Sequence, residues 1–179
     1  MNSHCPSAEA AVSRGDTSSF SCFLSVSSKS AAKTWGTEIQ KITRVTGIIP
    51  EKIHFYTADG WKWKIYMKAL MMSKAGKLDI GSLIRESFKD QEMKTRTKQV
   101  PVFARQLVDD VIKLPNRSQE LRLKMGQINE VGILQDAMNF IQGELGVEIT
   151  IGGESDPWIE DPAKRAHRSK PYRPAIYVA

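Results

Sequence analysis

Cysteine is nearly missing from this chain: its 179 residues contain only Cys5 and Cys22, both near the N-terminus. A disulfide framework is therefore not expected, and a reducing, cytoplasmic setting is. Long apolar runs are missing too. Even Ile65–Met72 is interrupted by Lys68, so no segment is long enough to span a bilayer as a helix, and a soluble chain with no membrane partner is expected. The short run Phe20–Val26 is broken by serines and lacks a basic region directly before it, which argues against a targeting signal. Catalytic signatures are also lacking. There is no glycine-rich phosphate loop followed by Lys and Ser or Thr, no dinucleotide fingerprint and no nucleophile elbow, so catalytic residues are expected to be none. Ser3, His4, Cys5 and Cys22 match no structural zinc spacing, and metal ligands are likewise expected to be none. No internal repeat and no sustained heptad run occurs.

What is present is an excess of cations. Lys and Arg number 26 against 20 Asp and Glu, a formal charge of +6, which favours a polyanionic partner. Residues 1–34 are Ser- and Ala-rich and aperiodic, the composition of a disordered leader. The remainder, 35–179, is long enough for one domain with a sizeable core. The pattern predicts a short helix over Trp35–Val45. A strand follows over Glu51–Ala58, where Ile53, Phe55 and Thr57 alternate with His54, Tyr56 and Ala58. Both faces are largely apolar, which predicts a central position covered on both sides, with His54 hydrogen-bonded beside the core.

Asp59 is placed to cap a helix over Gly60–Lys74 that is apolar around much of its girth. Its cations Lys62, Lys64, Lys68 and Lys74 have no carboxylate beside them in sequence. Lys64 and Lys68, four residues apart, repel each other on one face, and a bound phosphate would relieve this. Two readings stay open, an anion-binding face or lysines that solubilise an apolar helix. Further helices are expected over Leu78–Phe88, from Pro101 to Leu114, over Ser118–Met125 with a Glu120–Lys124 pair, and over Ile128–Leu145 with Gly146 as its cap. Asp109 and Asp110 read as a solvated face. Val147–Ile151 alternates as a half-covered strand.

A loop over Gly152–Ser169 begins acidic with Glu154, Asp156, Glu160 and Asp161 and ends basic with Lys164, Arg165, Arg168 and, just beyond, Lys170. Trp158 in its acidic half has two readings, an anchor of the loop on the core or a ring that stacks on a base, and the anchor is the favoured expectation. Pro171 and Pro174 then deliver an extended backbone to a last strand, Ala175–Val178, in which Ile176 and Val178 share one face and Tyr177 takes the other. The expected architecture is α+β, a small three-stranded sheet of residues 53–58, 147–151 and 175–178 packed against four to five helices.

Three segments together carry a resemblance. Ile53-His54-Phe55-Tyr56-Thr57-Ala58-Asp59-Gly60-Trp61-Lys62-Trp63-Lys64, the helix-to-strand unit Ala137–Ile151, and Asp161-Pro162-Ala163-Lys164-Arg165-Ala166 leading to Pro171-Tyr172-Arg173-Pro174-Ala175-Ile176-Tyr177-Val178 resemble the C-terminal region of archaeal/eukaryotic-type leucyl-tRNA synthetases. The resemblance spans about Trp35 to Ala179. It implies a region outside the catalytic, editing and anticodon-binding parts that helps hold leucine tRNA by its long variable arm. ATP and magnesium would then belong to the catalytic part of the ligase, with no cofactor in this chain, and the chain would not charge tRNA alone. The partners so implied are leucine tRNA and the rest of the synthetase, with a monomeric chain. Lys62, Lys64, Lys68, Lys164, Arg165, Arg168, Lys170 and Arg173 are expected near phosphates, and the C-terminal backbone or Tyr177 near exposed bases. A protein-interaction module is the rival reading. It would dock an acidic partner in a synthetase complex through the tryptophan-bearing helix and the basic tail.

Overall fold

The computed structural model describes residues 51–179 together with Arg44. The expected leader and, apart from Arg44, the helix over Trp35–Val45 lie outside the described residues. The elements are β1 (Lys52–Thr57), α1 (Gly60–Lys74), α2 (Ile80–Ser87), α3 (Gln91–Lys94), α4 (Gln99–Ile112), α5 (Asn116–Met125), α6 (Glu130–Leu145), β2 (Glu148–Gly153), a single 3-10 turn (Ala166–Arg168) and β3 (Ala175–Val178). This is the α+β class, with one three-stranded sheet in the order β2-β1-β3. The chain divides into two compact units, and the division falls inside β1, between Phe55 and Tyr56.

Among residues 51–179, the first unit holds 51–55, 130–152 and 176–179. Its sheet follows from the alternation in β1, where every residue from Ile53 to Thr57 is buried, as a central strand requires. Ile53 and Phe55 close onto Leu134 and Ala137 of α6 and onto Val147 and Ile149, with Met138, Ile151 and Ile176 at the margin. The backbone N–H of Glu148 donates to Glu51 O at 3.1 Å, and six residues further along both strands Glu154 N donates to Thr57 O at 3.0 Å. β2 is thus parallel to β1, which is why a long crossover separates them in sequence. On the other edge Lys52 and Ala179 exchange both backbone hydrogen bonds, at 3.1 and 2.9 Å, the mark of an antiparallel pair. Gly146 ends α6 with φ +66°, and its N–H reaches Gln142 O at 2.7 Å. A side chain there would be strained.

The second unit holds Tyr56–Asn129 and Gly153–Ala175. Helix α1 packs on α2, α4 and α5. Trp61, Ile65, Tyr66, Ala69 and Leu70 meet Leu83, Met93, Val100, Phe103, Leu107 and Val111 in one core, which accounts for the apolar girth of α1. Asp79 caps α2 by accepting from Ser82 N at 2.9 Å. Asp59 occupies the N-cap position of α1 without making a side-chain cap bond; its carboxylate instead accepts from Ser155 Oγ at 2.5 Å. Helix α3, inside a stretch that reads only as highly charged, exists because Asp90 caps it at Glu92 N and Met93 is fully buried. Four residues are too few to display a helical period.

Pro115 breaks the helix after α4, and the exposed carbonyls are met from the next helix. Gln119, buried, donates its amide Nε2–H₂ to Val111 O at 3.1 Å and Leu114 O at 3.0 Å. Replacing it with leucine leaves both carbonyls without that donor. Gln119→Leu is expected to lower unfolding free energy by about 1–3 kcal/mol, read from urea unfolding midpoints at unchanged slope. The expected Glu120–Lys124 pair gives way to a bridge across helices, Glu120 to Lys74 at 3.6 Å.

Candidate nucleic-acid interface

The basic segment after β2 is held in place by a lysine that sequence reading placed on the surface. Lys62 sits in the first turn of α1, and its side chain is only 3% exposed. Its ammonium donates to the Glu154 carboxylate, to His167 O at 2.8 Å and to Ser169 O at 2.7 Å. Ser169 Oγ donates in turn to Glu154 Oε2 at 2.8 Å. One buried cation therefore ties helix α1 to both ends of the loop that carries the other cations. Burial, the largest influence on each, lowers the Lys62 pKa and raises that of Glu154, while their mutual hydrogen bond acts in the opposite sense on both.

Within the loop, the carboxylates are turned to structural use. Asp161 accepts from Arg165 N at 2.7 Å and Ala166 N at 2.9 Å, closing the tight turn in which Lys164 takes φ +49°. Asp156 accepts from Trp158 N at 3.0 Å. Beyond Trp158, Tyr56, buried on β1, donates its hydroxyl to Glu160 O at 2.6 Å. Tyr56 therefore anchors this loop, and Trp158 does not. The indole of Trp158 is 90% exposed, which corrects the expectation drawn from its size and apolarity.

The loop ends in a tight turn, Lys170–Arg173, whose end residues exchange both backbone bonds at 3.0 and 2.8 Å. Pro171 suits its second position, but Tyr172 holds φ +63°, a conformation that favours glycine. The ring offsets that strain. It packs edge-on to Trp63 at 5.0 Å and tilted to Tyr66 at 5.9 Å, its hydroxyl reaches Gly126 O at 2.9 Å, and Arg122 lies 4.8 Å over its face.

The sequence-derived cations thus separate into two groups. Lys62 is buried. Lys64 pairs with Glu92 at 2.7 Å and Asp90 at 3.4 Å, Lys68 donates to Glu86 O at 3.0 Å, and Lys170 pairs with Asp110 at 2.5 Å. The unpaired face expected on α1 is therefore answered by carboxylates and a carbonyl of the same unit, and Asp110 is not merely solvated. Lys164, Arg165, Arg168 and Arg173 are exposed, and none forms an ion pair among the described residues. All four lie in the second unit. Tyr177 belongs to the first unit, half-buried, with its ring 5.9 Å from that of His54. The exposed Trp158 is the feature that sequence reading assigned to the core; its position two residues after Asp156 and directly after Pro157 was the available sign of a presented turn.

The described residues form an α+β fold with cations exposed and unpaired on a braced loop, and no described helix is long and apolar enough to cross a membrane. Known proteins share much of this sequence. The chain is 35% identical over 141 residues to the leucine–tRNA ligase of Methanococcoides burtonii, covering 79% of this chain and 14% of that protein. It is 30% identical to the leucine–tRNA ligase of Methanothermobacter thermautotrophicus, covering 79% and 13%, and 30% identical to that of Pyrococcus furiosus, again covering 79% and 13%. No family model matches. The chain is a relative of one segment of the leucine–tRNA ligases and spans about a seventh of the length of the curated relatives it matches.

Proposed function

We propose that this chain is a tRNA-recognition domain, one that holds leucine tRNA by its long variable arm and supports aminoacylation carried out by the catalytic part of a leucine–tRNA ligase. The observation that carries the reading is the set of Lys164, Arg165, Arg168 and Arg173, exposed and unpaired among the described residues on a segment fastened by Lys62. Braced cations meet phosphates without first losing the freedom of a mobile loop, so the ordering cost of binding is reduced. Phosphate contacts position an RNA, and shape or a few base contacts select it. The relatives named as leucine–tRNA ligases support tRNA as the polyanion.

The rival reading, docking of an acidic protein through the tryptophan-bearing helix, called for an exposed apolar patch around Trp61 and Trp63. Those side chains are 4% and 2% exposed, and no observation favours it.

Binding of the full chain to leucine tRNA, to the same tRNA with its variable arm trimmed and to an unrelated tRNA, across a salt series, tests the proposal. The expected result is preference for the intact arm, with affinity falling as salt rises. Equal weak binding to all three, or affinity indifferent to salt, would count against it.

A further inference from the structure

Trp158 is the largest exposed apolar side chain among the described residues, 90% exposed, and its exposure is a built feature of the loop. Residues on both sides of it are fixed. Asp156 N donates to Gly153 O at 3.1 Å, Trp158 N to Asp156 Oδ1 at 3.0 Å and Ile159 N to Asp156 O at 3.4 Å. Glu160 O is held by the Tyr56 hydroxyl at 2.6 Å. A tryptophan with this much apolar surface is ordinarily covered. Here the loop is anchored by Tyr56 instead, and the indole is left exposed.

The surrounding charge indicates what meets it. In sequence the indole lies among Glu154, Asp156, Glu160 and Asp161, a setting that would repel nucleic acid. In the fold, Glu154 is neutralised by Lys62, Asp156 accepts from the Trp158 amide, and Asp161 accepts from the amides of Arg165 and Ala166. Only Glu154 is thereby paired with a cation; Asp156 and Asp161 keep their charge while serving as acceptors that fix the loop backbone, and Glu160 is exposed. The cations that follow, Lys164, Arg165 and Arg168, stay exposed. A flat apolar ring followed along the same loop by the exposed cations Lys164, Arg165 and Arg168 suits a ligand that combines π faces with phosphates, which is the chemistry of unpaired nucleotides.

We infer that Trp158 is a stacking platform for an unpaired RNA base, with the cations of residues 164–168 holding the adjoining phosphates. This inference rests on the RNA-binding reading above and adds Trp158 to its base contacts, the reading of this residue that sequence placed second to the anchor. Stacking accepts any base, so Trp158 contributes affinity for an unpaired loop or end over continuous duplex, and little preference among bases.

The test uses the full 179-residue chain and two RNA probes of equal length, a hairpin with an unpaired purine loop and a blunt duplex, each over a salt series. Trp158→Ala is expected to weaken hairpin binding roughly 5- to 150-fold, to leave the slope of affinity against salt unchanged and to leave duplex binding unchanged. Trp158→Tyr is expected to restore most of the lost affinity, and Trp158→Leu not to. Circular dichroism and melting of each variant should match the parent, because the indole touches no core. Wild-type binding of the hairpin that Trp158→Ala leaves intact, or that leucine restores as well as tyrosine does, overturns the stacking inference and spares the RNA-binding reading. Failure of the wild-type chain to bind either probe while it still binds leucine tRNA overturns the stacking inference alone, and failure to bind all three RNAs overturns both.

Discussion

Glu154→Ala is expected to destabilise the folded chain by about 3–5 kcal/mol, because it leaves the Lys62 ammonium buried without its counter-charge. The side chains of the pair are 3% and 8% exposed, so water cannot replace the lost carboxylate without opening the loop. The Lys62→Met, Glu154→Leu double variant is expected to lose less than the single one, since it removes both desolvated charges together. It still forfeits the bonds from Lys62 to His167 O and Ser169 O, so it does not reach the parent. Urea unfolding of the parent, Lys62→Met, Glu154→Leu and the double variant measures the coupling; a loss in the double variant equal to the sum of the two single losses would mean that the residues do not act as a pair.

The pH dependence of the same pair follows from its shifts. Burial raises the Glu154 pKa, so this group's favourable contribution is full below the unfolded carboxylate value and is lost as pH rises through the folded one. Burial lowers the Lys62 pKa, so its favourable contribution is present above the unfolded amine value and is lost as pH falls through the folded one. Between those two windows both groups are charged, and desolvation opposes the pair. The interaction therefore adds little net stability at neutral pH. Its consequence is placement, since one cation fixes the carbonyls of residues 167 and 169 relative to α1.

Neutralising the exposed group is expected to produce the opposite profile. The fourfold variant Lys164→Gln, Arg165→Gln, Arg168→Gln, Arg173→Gln should reduce the slope of log affinity against log salt by roughly 0.7–0.9 for each phosphate contact removed, about 3 in all if every cation touches a phosphate. At low salt its affinity for leucine tRNA should fall by several orders of magnitude, while its melting temperature stays near that of the parent, because these side chains form no ion pairs among the described residues and are exposed. Lys62→Gln should behave in reverse, losing stability through the buried site. Lys64→Gln should change the salt slope little, since that ammonium is engaged at 2.7 Å by Glu92. An unchanged slope in the fourfold variant would remove these residues from the interface.

Much of the fold could be read from local pattern. The two-faced alternation of Ile53–Ala58 placed β1 at the centre of the sheet, and the three- and four-residue steps through Val131, Leu134 and Met138 located α6, with Gly146 at its end. In each case the burial pattern is written into consecutive residues, both faces of a strand or one face of a helix, which propensity and periodicity report directly. The α+β class and the leucyl-tRNA synthetase resemblance were likewise legible in contiguous segments. Helix α3 was not, because a cap and one buried methionine leave no period behind.

The allocation of charge and aromatic surface was decided by tertiary structure alone. Lys62 and Lys164 look equally available in sequence, yet the partners of Lys62 lie 92, 105 and 107 residues away. Trp158 looks like the natural anchor of its loop, yet the bond that anchors it comes from Tyr56, 104 residues away. Which cation faces water and which ring is covered depends on the path by which the chain returns to α1 and β1, and neighbouring residues carry no information about that path. Composition established an excess of positive charge; burial and long-range pairing determined which of the described cations stay exposed and unpaired.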